Sequence, residues 1–177
     1  MGLRDLINKV PTPLKQAVKD KVFPDLIPEG ELAPEWHLQD QDDNWHRMKG
    51  KKWAVMVFYP GDDTPGCTLQ LQDFQRHYDK FKELNVEVYG VNPAEANSHK
   101  AFADKCGFDF PILVDRGGSV CRQFRCSLPM PYGIKVIRSV YLVNPERKIR
   151  MANRGTPSVQ AIIRSIEALQ QASRSGM

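Results

Sequence analysis

The sequence predicts an α/β fold with a central mixed sheet flanked by helices. Its 177 residues correspond to roughly one domain. A continuous apolar run at 53–59, WAVMVFY, is typical of a strand that is buried on both faces. Segments with helical spacing separate this run from later strand candidates, which is typical of βαβ units. Two apolar segments at 139–143 and 148–151 flank a turn at 144–147, so an antiparallel pair should make the sheet mixed.

Residues 1–29 differ from the rest of the chain and predict a helical N-terminal extension to a domain at 30–177. Apolar residues recur there at helical spacing, and two prolines interrupt the pattern. The residues concerned are Leu3, Leu6, Ile7 and Val10, then Pro11 and Pro13, then Leu14, Val18 and Val22. Such stripes usually face a core, so we expect helices docked on the domain. A dimer arm or a membrane-surface contact is the alternative.

The domain itself alternates strand and helix. After the strand at 53–59 we expect a helix from Pro65 to about Leu84 and a strand at Val86–Val91. A helix at 95–106, a strand at Pro111–Val114 and a short helix at Ser119–Phe124 follow, before the antiparallel pair. Thr156 and Pro157 begin a last helix, whose apolar stripe predicts packing on the sheet. That stripe consists of Val159, Ile162, Ile163, Ile166 and Leu169.

Charge and hydropathy exclude several classes of function. The chain carries 25 Lys and Arg against 21 Asp and Glu, a net charge of +4, and these charges are scattered. No nucleic-acid partner is therefore expected. No apolar run approaches the roughly 18 residues of a membrane span, and the N-terminus lacks the apolar segment of a signal peptide. A cytoplasmic location is the expectation, and the sequence leaves monomer and homodimer open.

The cysteines, at positions 67, 106, 121 and 126, contain no CxxC spacing. This excludes zinc ribbons and thioredoxin-type dithiol sites. In a reducing compartment these residues are expected to be thiols rather than structural bridges, and at least one is a candidate for catalysis. The histidines have no metal-ligand spacing among themselves or with the cysteines, so no metal, haem or flavin is expected.

Cys67 is the strongest candidate for a reactive group, because the sequence places it in the first turn of a helix. Thr64 suits the N-cap, where its side-chain oxygen can accept a bond from an early helix N–H, and Pro65 suits the next position. Unpaired N–H groups and the helix dipole favour a thiolate there. Helical spacing puts Cys67 on an apolar stripe with Leu71 and Phe74, partly sheltered at the carboxyl end of the preceding strand. By position alone, a small core residue is the other interpretation.

Several segments of the chain resemble the peroxiredoxins. Pro60, Thr64 and Cys67 match the Pro-x-x-x-Thr-x-x-Cys motif of their active-site loop. The surrounding string FYPGDDTPGCT resembles the bacterioferritin-comigratory-protein (PrxQ) branch, and segments at 30–34, 108–115 and 138–143 match the family in the same order. The resemblance covers about residues 30–170. It implies a thioredoxin-like fold and a thiol peroxidase for hydrogen peroxide and organic hydroperoxides, recycled by thioredoxin or a similar dithiol protein and holding no cofactor.

The resemblance also implies roles for individual residues. Cys67 would be the nucleophile and would become a sulfenic acid. The Thr64 hydroxyl would orient the peroxide, and Arg138 would hold the thiolate and polarise the peroxide. Pro60 would shield the pocket from water, and the backbone N–H groups of Gly66 and Cys67 are candidates for binding the peroxide oxygens.

Two neighbours of the motif are left open by the sequence. Gln70, one turn beyond Cys67, either supports the site through a hydrogen bond or faces solvent. Tyr59 either lines the pocket or simply ends the strand.

The chain departs from the branch at the resolving cysteine, the second thiol that forms a disulfide with the nucleophile. Many members of the branch carry it five residues after the nucleophile, where this chain has Gln72. Cys106 lies one helical turn from another position that the branch uses, and it is the first candidate, although a bridge to Cys67 would require local unfolding. Cys126 or an external thiol, in a one-cysteine cycle, are the alternatives, and Cys121 is expected to be a core residue.

A second hypothesis keeps the fold and changes the function. A peroxide-responsive redox sensor or a holdase chaperone would react with peroxide but turn over slowly with reductants. The N-terminal extension is compatible with this function, and so is Gln72, which stands where a resolving thiol is often found.

Overall fold

The computed structural model describes residues 23–48, 50 and 52–176, together with the isolated positions 11 and 13. The strands in this part of the chain are β1 (His37–Gln39), β2 (Trp45–Arg47), β3 (Trp53–Phe58), β4 (Val86–Asn92), β5 (Ile112–Val114), β6 (Ser127–Met130), β7 (Gly133–Val136), β8 (Ser139–Val143) and β9 (Ile149–Arg154). The helices are α1 (Pro65–Arg76), α2 (Tyr78–Glu83), α3 (Ala96–Cys106), α4 (Ser119–Gln123) and α5 (Val159–Ser175).

A five-stranded sheet forms the centre of the domain, in the order β5-β4-β3-β8-β9. β3 pairs in parallel with β4 and antiparallel with β8, so Val57 lies between Gly90 and Val140. β5 is parallel to β4, and β9 is antiparallel to β8. The predicted mixed sheet is therefore observed, with its most apolar strand in the middle.

The two faces of the sheet carry two separate cores, because successive side chains of β3 point to opposite sides. Val55 and Val57 belong to a core that contains Cys67 and the buried apolar residues of α1, α2, α3 and α5. Met56 and Phe58 belong to a second core, which contains Cys121 and Cys126. The candidate nucleophile is thus separated from two of the other thiols by the sheet.

The last helix has the predicted apolar face, but it begins at Val159, two residues later than the start predicted at Thr156 and Pro157. α5 begins after Ser158, whose hydroxyl accepts a hydrogen bond from the N–H of Ala161 at 3.3 Å, as an N-cap should. Its buried face comprises Val159, Ile162, Ile163 and Ile166. Burial of each such side chain contributes about 1.5–3 kcal/mol, which docks the helix on the sheet. Among the described residues, this and every other helix is too short or too polar to cross a bilayer.

The single helix predicted from Pro65 to about Leu84 is wrong in one respect, since the structure has two helices that meet at His77. There φ is −103° and ψ is 8°, outside the helical region. Nδ1 of the imidazole lies 2.9 Å from the carbonyl oxygen of Asp73, the group that the N–H of residue 77 would bond in a continuous helix. That N–H bonds the carbonyl of Phe74 instead, at 3.2 Å.

Two short hairpins were not predicted. β1 pairs with β2, and β6 pairs with β7, both antiparallel and outside the main sheet. In the first hairpin, Oδ1 of Asp40 accepts hydrogen bonds from the N–H groups of Asp42 at 2.8 Å and Asn44 at 3.0 Å, which closes the turn. The second hairpin leads directly to the segment that carries Arg138.

Residues 23–29, the described end of the predicted helical extension, form neither helix nor strand. Ile27 is buried, and its N–H donates to the Tyr141 hydroxyl at 3.1 Å. The carbonyl of Pro24 accepts a hydrogen bond from the guanidinium of Arg154. This segment therefore lies against the domain, and the helices predicted upstream of it fall outside the described residues.

Candidate active site

The site lies where β3 ends and α1 begins. The chain leaves the sheet after Phe58, passes through the loop 59–64 and enters α1 at Pro65. Thr64 is the N-cap, with φ −94° and ψ 145°, as the sequence predicts. Its predicted side-chain cap is wrong, because the hydroxyl donates to the carbonyl of Gly61 at 3.1 Å and makes no bond to a helix N–H. The Thr64 oxygen therefore keeps its lone pairs available as acceptors.

Cys67 occupies the third position of α1, with its side chain against the core. Only 1% of the residue is exposed, so it is more sheltered than the sequence suggests. Sγ accepts a hydrogen bond from Nη2 of Arg138 at 3.2 Å. The sulfur thus lies against a guanidinium and close to the unpaired N–H groups of the first helical turn.

Arg138 lies between β7 and β8, and a second side chain fixes its position. Nη1 donates to Oε1 of Gln70 at 2.6 Å, and a longer contact of 3.5 Å joins Nη1 to the carbonyl of Gly66. Gln70 is 3% exposed, which favours the supporting role over the solvent-facing one. A β-carbon at Gly66 would lie 3.3 Å from Nη2, so the absence of a side chain there lets the guanidinium reach the helix start.

A buried hydrogen-bond network, which the sequence analysis missed, holds the loop between β3 and α1. Asp62 is its centre: Oδ1 accepts from the Tyr59 hydroxyl at 2.6 Å. Oδ2 accepts from the Ser98 hydroxyl at 2.6 Å and from Nδ1 of His99 at 2.7 Å. Asn92 completes the network, because its amide donates to the carbonyl of Tyr59 at 2.8 Å. Tyr59 is fully buried and follows the last residue of β3.

The hydrogen bonds of this network and the burial of its residues shift the pKa values of Asp62 and Tyr59. Burial alone raises the pKa of the Asp62 carboxyl, but hydrogen bonds from His99, Ser98 and Tyr59 outweigh it and hold that pKa below its ordinary value. Burial, followed by the charge of Asp62, raises the pKa of Tyr59 well above its ordinary value. Asp62 is therefore an acceptor and Tyr59 a donor at neutral pH.

The other end of α3 approaches the same loop. Nζ of Lys105 forms an ion pair with Asp63 at 2.8 Å. The next residue, Cys106, is half-buried at the end of the helix, and burial, then the charge of Asp63, raise the pKa of its thiol. The structure thus places the predicted resolving candidate near the loop, while leaving all of the cysteines as free thiols.

Cys121 and Cys126 form part of the second core and are fully buried. Both belong to the Schellman motif that ends α4. The N–H of Cys126 donates to the carbonyl of Cys121 at 2.8 Å, and Arg125 has a positive φ of 57°. Burial raises the pKa of Cys126 to about 12 and that of Cys121 still further. These two thiols act as apolar packing groups, as predicted for Cys121.

The predicted site residues thus divide into those in contact and those nearby. Cys67 and Arg138 touch, and Gly66 lies under the guanidinium. Thr64 begins the same helix, and Pro60 is exposed at the entrance of the loop. Within the part of the chain that the structure describes, no three His, Cys, Asp or Glu side chains are grouped so as to hold a metal ion.

Comparison with known proteins gives consistent matches. A model of the AhpC/TSA family matches residues 30–152, which include every residue of the site. The chain is 37% identical over 117 residues to the chloroplastic peroxiredoxin Q of Triticum aestivum, covering 64% of this chain and 54% of that protein. It is 32% identical over 156 residues to the chloroplastic peroxiredoxin Q of Gentiana triflora, covering 85% of this chain and 70% of that protein. The chain therefore spans about half of the first of these relatives.

A solved structure shows the same architecture. The bacterioferritin comigratory protein of Xanthomonas campestris, studied for its alkyl peroxide reduction activity, is 28% identical with a TM-score of 0.71. The similarity covers 81% of this chain and 98% of that one. The thioredoxin-like fold with a mixed sheet flanked by helices is therefore confirmed.

Proposed function

Because the chain belongs to the AhpC/TSA family of peroxiredoxins, in the branch of peroxiredoxin Q and the bacterioferritin comigratory protein, we propose that it is a thiol peroxidase with Cys67 as its nucleophile. The observation that supports this most strongly is the 3.2 Å contact between Arg138 Nη2 and Cys67 Sγ in the first turn of α1. Hydrogen peroxide and organic hydroperoxides are the proposed substrates, since alkyl peroxide reduction is the activity studied in the similar protein of Xanthomonas campestris.

The first step oxidises Cys67. Its thiolate attacks the terminal oxygen of the hydroperoxide, so that an S–O bond forms and the O–O bond breaks. The sulfur loses two electrons and becomes a sulfenic acid, which keeps the proton of the attacked oxygen. The other oxygen leaves as alkoxide or hydroxide and takes a proton from water.

The residues around Cys67 stabilise this step in separate ways. Arg138 donates to the sulfur and faces the peroxide oxygens, where negative charge develops as the O–O bond breaks. The Thr64 hydroxyl donates a hydrogen bond to the carbonyl of Gly61, so its oxygen is left to accept one from the O–H of the incoming peroxide. The N–H groups of Gly66 and Cys67 lie in the first turn of α1, where the helix provides no carbonyl acceptor, and so they can bind the peroxide oxygens.

The second step removes the sulfenic acid. The thiolate of Cys106 attacks the Cys67 sulfur, an S–S bond forms and hydroxide leaves. An external dithiol protein of the thioredoxin type then reduces this disulfide by exchange and is itself oxidised. Cys106 is supported over Cys126 because it packs against the same core as Cys67, whereas Cys126 is buried on the other face of the sheet.

A steady-state assay tests the peroxidase. Peroxide consumption, coupled to thioredoxin and its reductase, should be fast for the wild-type chain and lost in Cys67→Ser. Cys121→Ala is the matched control, because that thiol lies in the second core and should leave turnover unchanged. Turnover that survives Cys67→Ser would overturn the proposal. Rapid oxidation of Cys67 with negligible turnover on every dithiol tested would favour the sensor or chaperone function instead.

Peptide mapping without reduction tests the resolving step. After one equivalent of peroxide, the peptide with Cys67 should be joined to the peptide with Cys106. The joined peptide should disappear in Cys106→Ser, leaving Cys67 with added oxygen. Added oxygen on Cys67 in the wild-type chain, without any joined peptide, would replace this step with a one-cysteine cycle.

A further inference from the structure

We infer that His99 is a positioning residue for the peroxidase reaction, acting through Asp62 to hold the loop that carries Thr64 and Cys67. This inference rests on the proposed function of Cys67 and adds to it a residue outside the peroxiredoxin motif. His99 belongs to α3 and lies 37 positions after Asp62 in the chain. It touches neither Cys67 nor Arg138 through any hydrogen bond in the described residues.

The first argument is burial. His99 is 0% exposed, and the side chain of Asp62 is 6% exposed, so water cannot replace the bond between them. A buried carboxylate that loses a partner keeps the full cost of its desolvation. The Asp62 position is therefore strongly coupled to the imidazole, which lies 2.7 Å away.

The second argument is the chemistry of the two ring nitrogens. Nδ1 faces the carboxylate of Asp62, and Nε2 faces the carbonyl oxygen of Asn92 at 3.2 Å. Each ring nitrogen is thus within hydrogen-bond distance of a different oxygen, one on the loop and one on the strand. The imidazole thereby joins the loop to the end of β4 as well as to α3.

The third argument is a strained residue beside the network. Asp63 has a positive φ of 52°, a conformation that costs a non-glycine residue free energy and persists only where neighbouring contacts enforce it. Asp62, with its three donors, fixes one side of Asp63, and Thr64 begins α1 on the other side. Release of Asp62 would relax this turn and shift the N-cap, and with it the sulfur against Arg138.

Two substitutions at His99 each keep one of the two hydrogen bonds of the imidazole and remove the other. Asparagine places its amide nitrogen near the position of Nδ1, so His99→Asn keeps the bond to Asp62 and loses the bond to Asn92. Glutamine places its amide nitrogen near Nε2, so His99→Gln keeps the bond to Asn92 and loses the bond to Asp62. If His99 merely filled space, glutamine, the closer match in volume, would be the milder change.

The experiment measures kcat/KM for peroxide and for the dithiol reductant, and amide hydrogen exchange of residues 60–66. His99→Gln should lower kcat/KM for peroxide about tenfold, as expected for one lost hydrogen bond to a charged group, and speed exchange in the loop. His99→Asn should stay within about threefold of wild type. Neither should change kcat/KM for the reductant. His77→Gln is the control, because His77 also contacts an aspartate but lies at the far end of α1.

Equal losses in the two variants, or a greater loss in His99→Asn, would overturn the inference. If both variants fail to fold, Asp62→Asn replaces them, since it removes the charge without leaving a void. Asp62→Asn should show the same loss of kcat/KM for peroxide and no change of kcat/KM for the reductant. Wild-type values of both would overturn the inference. Hydrogen exchange reports on the loop even if the wild-type chain reduces no peroxide, so failure of the inference and failure of the proposed function are distinguishable.

Discussion

Arg138→Met is the substitution that tests the electrostatics of the site most severely. It removes the cation whose Nη2 lies 3.2 Å from Cys67 Sγ while keeping an unbranched apolar stem. Two unit charges at this separation interact by roughly 5 kcal/mol at an effective dielectric constant of about 20. Arg138 is half-exposed, so water screens part of this interaction. Loss of one oriented donor at a developing charge typically lowers a rate by about 10²–10³, which is our expectation for the second-order rate constant with peroxide.

Arg138→Lys refines the same prediction. A lysine ammonium lacks the planar fork that reaches the Cys67 sulfur and Gln70 Oε1 together, so we expect a rate between those of the wild type and Arg138→Met. Rapid mixing with hydrogen peroxide, followed by acid quench and mass analysis of Cys67, gives the rate without any reductant. Arg116→Met is the control, because Arg116 is exposed and forms its ion pair with Glu95, away from Cys67. An Arg138→Met rate within about threefold of wild type would refute this account of the site.

Three further outcomes follow from the geometry. Thr64→Val removes the hydroxyl acceptor without changing the shape of the side chain, so it should lower kcat/KM for peroxide at least about tenfold. Thr64→Ser keeps the hydroxyl and should retain activity. Equal values of kcat/KM in the two variants would count against a peroxide oriented by this hydroxyl. Gly66→Ala puts a β-carbon 3.3 Å from Arg138 Nη2, so it should displace the guanidinium and slow Cys67 oxidation without unfolding α1, as circular dichroism and single-turnover kinetics would show. Asp62→Asn should lower the free energy of unfolding by about 2 kcal/mol at pH 7, because it weakens the hydrogen bonds that a buried carboxylate accepts. The pKa of Asp62 lies below its ordinary value of about 3.9, so this contribution is present above that value and is lost as pH falls through the folded-state pKa. The difference between denaturant titrations of wild type and variant should therefore begin to shrink as pH falls below about 4, and a constant difference down to about pH 2 would contradict the assignment.

The main sheet could be predicted because its strands carry long apolar patterns. The run at 53–59 is buried over its whole length, and the stripe of α5 recurs over several turns. The hairpins β1–β2 and β6–β7 were missed because each strand has only three or four residues, many of them exposed, which is too short for a periodic pattern. The break at His77 depends on one side chain bonding one backbone carbonyl, and helical spacing alone does not encode that.

The site was predictable where its residues share a motif and not where they meet only in the fold. Thr64 and Cys67 lie in one short segment, and the match at Arg138 supplied the third position. Asp62 and His99 come from different elements, so their contact depends on tertiary packing. One signal was available: His99 lies on the buried face of α3 with Phe102 and Ala103, and a polar group on an apolar face needs a buried partner.

The most direct test of the account is to identify the atom that hydrogen peroxide oxidises first. Cys106→Ser protein, treated with one equivalent of peroxide in the presence of a sulfenic-acid trap, is digested and its cysteine peptides are quantified by mass. We expect the trap on Cys67 alone, with Cys121 and Cys126 unmodified in their buried core. An unmodified Cys67 beside a trapped Cys121 or Cys126 would contradict the assignment of the active site.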